Sequence, residues 1–231
     1  LYWKRAEPLI VTGAMRIPCE AGADGPANIL AATRVATDPQ SRNRGVLVVI
    51  NDTIHSPYWL QKSHTVKVET FQSGLAGTLG TILEGKLIYF NDRNFFPTTF
   101  DLPQNDDHQV ALLYSSLSSD TQLMKFCLES GYYAGLVIAG FGSGHCSFQA
   151  ADIVRQYAPK MPIIIASRCC NGPTSRITYG YKGSETDMIT SGALMSGYLS
   201  AVKARLLLWA FLAQGHSLAQ INAQWNDWTI S

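Results

Sequence analysis

Short, uninterrupted apolar runs constrain this chain more than any other feature: Gly45 to Ile50, Leu136-Val137-Ile138 and Ile163-Ile164-Ile165. A strand with one wet face alternates apolar and polar residues, whereas a parallel strand covered by helices on both faces is apolar at successive positions. Segments with helical signals stand between and after these runs. Gly25-Pro26 opens one helix, with proline at a position where its missing N–H costs nothing, and Asp38-Pro39 ends it. Ile29, Thr33 and Ala36 are expected to keep its packed face. Asp120 is placed to cap a second helix, in which Leu123/Cys127 and Met124/Leu128 share a face. A third runs from about Ser147 to Tyr157 and is stopped by Pro159; Lys203 to Ala213 reads as a buried helix, and Ser217 caps a last one. Repeated strand–helix units of this kind predict an α/β fold with mostly parallel sheets and flanking helices.

Leu9-Ile10-Val11 predicts one more strand, and Thr81 to Phe90 a hairpin turning at Glu84-Gly85-Lys86. An alternation at Val66, Val68 and Thr70 lies between them, and Asn51-Asp52 follows the Gly45–Ile50 strand, where ligands bind in open α/β sheets. Arg93 to Gln109 holds two prolines and has no periodicity, which marks a linker. The expected organisation is an N-terminal domain over 1–92, a linker over 93–107 and a C-terminal domain over 108–231. The segment Arg168 to Thr190 reads as a long loop, free to reach outward.

Composition narrows the functional classes. Of 231 residues, 46% are apolar and 15% charged, so much of the length must be hidden in a core or between subunits. Eighteen basic against seventeen acidic residues leave a net charge of +1, without the basic field that nucleic acid or an anionic membrane surface requires. The longest apolar run, Leu206 to Ala213, is too short to span a bilayer. A soluble protein of the cytoplasm or periplasm is expected. The five cysteines show no CxxC spacing, so no structural metal is expected and most are read as small buried hydrophobes. Leu1-Tyr2-Trp3, followed by Lys4-Arg5 and closed by Pro8, reads as the last turn of a helix whose beginning lies upstream. On that reading the chain is truncated at its N-terminus.

Candidate sites are few. Gly140-Phe141-Gly142-Ser143-Gly144-His145 fails as a dinucleotide fingerprint, because His145 stands where the third glycine belongs and Lys160-Met161-Pro162 stand where an acid belongs. Phe141 and His145 also break the GxSxG pattern of a nucleophile elbow. What survives is a tight turn lining a cleft at a strand end. Lys62 is either a solvated surface residue or a cation that holds a carboxylate and helps to activate a hydroxyl. Cys169-Cys170 read as structural, and Trp225 and Trp228 as core or interface.

Five runs carry more information together than apart: Val11-Thr12-Gly13-Ala14-Met15-Arg16, Ala23-Asp24-Gly25-Pro26, Arg44-Gly45-Val46-Leu47-Val48-Val49, Asn51-Asp52-Thr53 and Lys203-Ala204-Arg205-Leu206. In this order and near these separations the chain resembles the bacterial-type L-asparaginase/glutaminase family. The resemblance implies two α/β domains, tetramers built as dimers of dimers, no cofactor, and hydrolysis of the side-chain amide of L-asparagine, with L-glutamine within the family's range. In that family a threonine attacks the amide, ammonia leaves, and water hydrolyses the acyl-enzyme; a second threonine, an aspartate and a lysine move the proton. By motif, Lys62 matches that lysine, and Ala14 the alanine whose backbone carbonyl faces the amide. Glu185 matches the glutamate that reaches the substrate's amino group in the neighbouring subunit. His145 and Ser143 stand where the family often has asparagines, and Gln61 replaces a usual threonine. Both threonines and the aspartate fall upstream of the family's equivalent of Leu1. Two readings stay open: an L-asparaginase-like amidohydrolase present as a fragment, or a catalytically incomplete assembly or binding protein.

Overall fold

The computed structural model describes residues 1–91, 99–103, 105, 107–118 and 121–229. The chain divides into two compact units, Leu1–Thr99 and Phe100–Ser231.

Unit 1 contains β1 (Leu9–Val11), α1 (Gly25–Thr37), β2 (Val46–Ile50), β3 (Thr53–His55), β4 (Gln61–Lys62), β5 (Phe71–Gln72), β6 (Gly80–Leu83) and β7 (Lys86–Tyr89). Its main sheet has the order β1-β2-β3-β6-β7, and β4 and β5 form a separate pair. Of the neighbours in the main sheet, β1 and β2 run parallel and the rest antiparallel. The sheet is therefore mixed. Two tight turns cause this. Asn51 and Asp52 have φ of 52° and 53°, and Glu84 and Gly85 have 51° and 77°, the left-handed pair that closes two-residue hairpins. Asn51-Asp52 is accordingly a hairpin turn and not the open end of a parallel strand.

The packed face of α1 also differs from expectation. Asn28, Ala31 and Val35 are buried, whereas Ile29, Thr33 and Ala36 are exposed. Ala31 and Val35 meet Leu47, Val49, Ile54, Leu79 and Ile82 in the core of the unit. Asn28 holds the polar end of that face through hydrogen bonds described below. Residues 1–8 are not helical: the Trp3 indole N–H donates to the Glu7 carbonyl at 2.7 Å. The 66–70 alternation is not a strand either. Val68–Thr70 is a short 3₁₀ turn, and Thr70 Oγ1 accepts the His64 N–H at 2.6 Å.

Unit 2 contains β8 (Gln109–Tyr114), α2 (Thr121–Glu129), β9 (Tyr133–Gly140), α3 (Phe148–Tyr157), β10 (Ile163–Ser167), α4 (Glu185–Thr190), β11 (Leu194–Met195), α5 (Ala201–Ala213) and α6 (Leu218–Trp228). Its four strands are parallel throughout, in the order β11-β10-β9-β8. Here the apolar runs find their cause. Leu136, Ile138, Ile163 and Ile165 belong to one core cluster with Met124 and Cys127 of α2 and Ala150 and Val154 of α3. Val137 and Ile164 alternate with them, are equally buried, and belong to the opposite face of the sheet. Helix α5 packs on β8, β9 and β10. Leu208 lies close enough to Gly135 that a Cβ there would stand 2.8 Å from its Cδ2.

Ser147 caps α3, and Ser217 with Gln220 forms a capping box at α6. Asp120 lies outside the described residues. Trp225 and Trp228 are core residues: the Trp225 indole donates to the Met195 carbonyl at 2.8 Å, and Trp228 stacks on Phe100 at 4.7 Å. The 168–190 segment is not one loop, because α4 occupies its end. Of the cysteines only Cys127 and Cys146 are buried; Cys19, Cys169 and Cys170 are exposed thiols, which corrects the expectation that most are buried. Burial pushes the Cys146 thiol up to about 12. No described helix is long and apolar enough to cross a membrane.

Candidate active site

The loop Thr12–Arg16 leaves β1 and is held by the start of α1. Asp24 accepts the backbone N–H of Met15 at 3.0 Å and of Arg16 at 2.9 Å, and the Asn28 amide at 3.0 Å. Asn28 also donates to the Gly13 carbonyl at 2.9 Å, and its own oxygen accepts the Asn51 N–H at 2.8 Å. Burial pushes the Asp24 carboxyl up, but the Met15 and Arg16 N–H groups and the Asn28 amide outweigh it and hold the group below the usual carboxylate range. Ala14, in the centre of this loop, is exposed, and no donor among the described residues meets its carbonyl. The backbone is fixed on both sides of an oxygen that is left to accept.

Lys62 ends β4, where it pairs with Phe71 of β5. The hairpin closes on Ser63 and Thr70: the Ser63 N–H and hydroxyl both donate to the Thr70 carbonyl, at 2.8 and 2.9 Å. The Lys62 ammonium is exposed and stands 5.7 Å from the Phe71 ring, inside cation–π range. Among the described residues it forms no ion pair.

In unit 2 the turn Gly140–His145 follows the C-terminal end of β9. Phe141 and His145 bridge across it, each N–H donating to the other's carbonyl at 2.8 Å. The turn needs glycine at Gly144, whose φ is 103° and where a Cβ would stand 2.9 Å from Met195 Cε. His145 Nε2 lies 3.0 Å from Glu185 Oε2, and its Nδ1 lies 2.5 Å from the Tyr181 hydroxyl. The Tyr179 and Tyr181 rings meet the imidazole edge-on, with centroids at 5.0 and 5.4 Å.

Glu185 is fully buried, and its second oxygen accepts the N–H groups of Thr178 and Tyr179, each at 2.6 Å. Desolvation raises its pKa, but these backbone bonds and the nearby His145 bring it below the ordinary glutamate value. It is an ionised carboxylate held within its own unit.

Comparison with known proteins decides the family. Residues 1–95 match the profile described as Asparaginase, N-terminal, and residues 109–224 match the Glutaminase/Asparaginase C-terminal domain. The chain belongs to the asparaginase family. It is 33% identical over 227 residues to L-asparaginase 2 of Escherichia coli, a match that covers 96% of this chain and 63% of that protein. Similarity to the probable periplasmic L-asparaginase of Haemophilus influenzae is 32% over 217 residues (91% of this chain, 60% of the relative). With L-asparaginase 2 of Bacillus subtilis it is 31% over 232 residues (97% and 59%). The chain thus spans about six-tenths of the length of these relatives.

Within this family member the structure brings His145 and Glu185 together in unit 2 and places Ala14 and Lys62 in unit 1. Sequence reasoning assigned no role to Asp24, Asn28 or Tyr181. A signal for Asp24 was available: an aspartate before Gly-Pro reads as a helix cap, and here it serves the neighbouring loop instead. Among the described residues no cluster of histidine, cysteine, aspartate and glutamate could hold a metal ion.

Proposed function

We propose that this chain serves the hydrolysis of the side-chain amide of L-asparagine to L-aspartate and ammonia. Membership of the asparaginase family carries the reading, and the local geometry supports it. Ala14 offers a fixed, unmet carbonyl, which suits the N–H groups of an amide. Lys62 offers a cation without a carboxylate partner among the described residues, which suits a lysine whose partner aspartate comes from another part of the protein. In the proposed reaction a threonine hydroxyl attacks the amide carbon and its proton passes through the lysine–aspartate group to the leaving nitrogen. The C–N bond breaks, ammonia leaves, and water hydrolyses the resulting ester. The threonines and the aspartate are proposed to come from the part of the relatives' length that this chain does not span.

His145 and Glu185 are proposed to form the end of the site that receives the substrate's amino group. Glu185 is buried and engaged by Thr178, Tyr179 and His145, so it is proposed to act through His145; this end of the site is proposed to serve a substrate across a subunit boundary, in a tetramer built from dimers. L-Glutamine is proposed as a second substrate of the same chemistry. The second reading is a catalytically incomplete protein that keeps the fold for assembly or binding.

One comparison separates the readings. The 231-residue chain is expected to release no ammonia from L-asparagine above background, because removing members of a nucleophile–base unit costs several orders of magnitude in rate. The same chain extended through its upstream coding sequence is expected to release ammonia, and to lose that activity with Lys62→Met. An extended protein that is inactive sinks the enzymatic reading, and turnover by the 231-residue chain alone sinks the proposed origin of the nucleophile.

A further inference from the structure

Lys62 stands in a ribbon of two residue pairs, Gln61 with Gln72 and Lys62 with Phe71, which forms no part of the main sheet of unit 1. A two-stranded ribbon is marginal in water by itself. Its register matters, because a slip of one residue carries every side chain of a strand to the opposite face. Lys62 and Phe71 share a face, with the ammonium 5.7 Å from the centre of the ring.

Of the two strands, β5 is the one held in place. Thr70 and Ser73, on either side of it, are buried, and Ser73 Oγ lies 2.8 Å from Nδ1 of His55 in β3. Lys62 of β4 is exposed and takes its place from the turn that follows it. That turn converges on Thr70. Its carbonyl accepts the N–H and the hydroxyl of Ser63, and its own hydroxyl accepts the His64 N–H at 2.6 Å and donates to the His64 carbonyl. The one hydrogen of that hydroxyl and one of its acceptor sites are thus both used on the residue two places after Lys62. The rest of the turn closes on itself: His64 Nδ1 accepts the N–H groups of Val66 and Lys67 at 3.1 and 3.3 Å, and the Lys67 carbonyl accepts the Thr70 N–H at 3.3 Å.

We propose that Thr70 is a positioning residue for Lys62. Its hydroxyl, with 1% of the residue exposed, sets the register of the β4–β5 ribbon and so the face from which the ammonium meets the reacting group. This rests on the asparaginase reading above, in which Lys62 helps to move the proton, and adds the residue that aims it. A lysine on a slipped or splayed strand is in place for the proton less of the time, while the Ala14 loop, held by Asp24 and Asn28, is untouched. Loss of the hydroxyl therefore acts on turnover and not on substrate binding.

Two variants separate the hydroxyl from the bulk around it. Thr70→Val keeps the branched shape and loses both hydroxyl bonds, whereas Thr70→Ser keeps the hydroxyl and loses a methyl group. In the 231-residue chain, nuclear Overhauser contacts between the Lys62 side chain and the Phe71 ring should be present in the wild type and in Thr70→Ser. In Thr70→Val they should weaken at least about threefold, while the core signals of Leu47, Val49 and Ile54 stay in place. In the chain extended through its upstream coding sequence, Thr70→Val should lower kcat about tenfold to a hundredfold with KM within about twofold, as small misplacements of a reacting group do. Thr70→Ser should stay within about threefold of wild type. Wild-type contacts in Thr70→Val overturn the positioning role, and displaced core signals in that variant overturn a role confined to Lys62. Lost contacts with an unchanged kcat overturn its bearing on the reaction. An extended wild type that releases no ammonia overturns the asparaginase reading instead, and is told apart because the Lys62–Phe71 contacts are read without turnover.

Discussion

The carboxylate of Asp24 binds the backbone N–H groups of Met15 and Arg16, at 3.0 and 2.9 Å, and makes no hydrogen bond to cap the helix that it precedes. An N-cap aspartate normally accepts from its own first turn. Here that bond is exchanged for control of a neighbouring loop, the one that presents the Ala14 carbonyl. The start of α1 is thus coupled to the candidate site by these two acceptances and by the Asn28 amide, which donates to the Gly13 carbonyl at 2.9 Å.

Asp24→Asn is consequently not a conservative change. Every contact of the carboxylate is an acceptance, and an amide nitrogen placed there would face the Met15 N–H or the Asn28 amide, donor against donor. Both Asp24→Asn and Asp24→Ala are expected to lower stability by about 1 kcal/mol, the lower end of the range for leaving a buried donor unmet, because the Met15 and Arg16 donors are only partly buried. Urea titration should show a lower midpoint with an unchanged slope. A midpoint equal to wild type for either variant would mean that the loop holds itself in place.

Lys62→Met should leave the fold intact. The side chain is exposed, its hairpin is closed by Ser63 and Thr70, and methionine keeps most of the aliphatic stem over Phe71. Stability should change by less than about 0.5 kcal/mol, as for surface substitutions generally. In an ammonia-releasing extended protein the same change should abolish turnover, whereas retained activity within about tenfold, roughly 1.4 kcal/mol of barrier, would make Lys62 an ordinary surface cation.

The parallel sheet of unit 2 was legible because Leu136–Ile138 and Ile163–Ile165 are buried on both faces, and that condition writes itself into consecutive positions. The β6–β7 hairpin was legible from Glu84-Gly85, yet the β2–β3 hairpin was not, since Asn51-Asp52 carries no glycine to announce its two left-handed residues. The face of α1 was misjudged because a buried asparagine holds one of its inward positions and isoleucine an outward one, the reverse of what hydrophobicity ranks. Helix α4 is six residues long, too short to show a period. At the site, His145 and Glu185 stand forty positions apart, and no local spacing joins them. Only the family resemblance named both, and neither it nor the spacing pointed to Tyr181 between them and solvent.

The thiols offer a direct check of burial. Cys19, Cys169 and Cys170 are exposed, while Cys127 and Cys146 lie in the core of unit 2. Burial also raises the pKa of both core thiols and so suppresses the reactive thiolate. A colorimetric thiol reagent at pH 8 should titrate three groups in the native chain and five in denaturant. Five groups reacting rapidly without denaturant would place Cys127 and Cys146 at the surface or show that unit 2 opens readily.

His55 supplies a pH dependence whose sign can be worked out. The ring is buried in unit 1, with Nδ1 2.8 Å from Ser73 Oγ, and desolvation lowers its pKa from 6.5 to about 4. Between those values the unfolded chain binds a proton that the folded chain refuses, so stability rises with pH across the window and falls on acidification. The contribution is fully present above about pH 6.5 and is lost progressively towards pH 4, amounting to about 2 kcal/mol by pH 5. Carboxylates titrate in the lower part of the same range, so the informative quantity is the difference between wild type and His55→Gln. Urea midpoints measured at pH 7 and pH 5 should fall further in the wild type than in the variant, whose amide can still meet Ser73 but takes up no proton. Equal falls in the two proteins would show that His55 is already protonated in the fold, or that water reaches the ring.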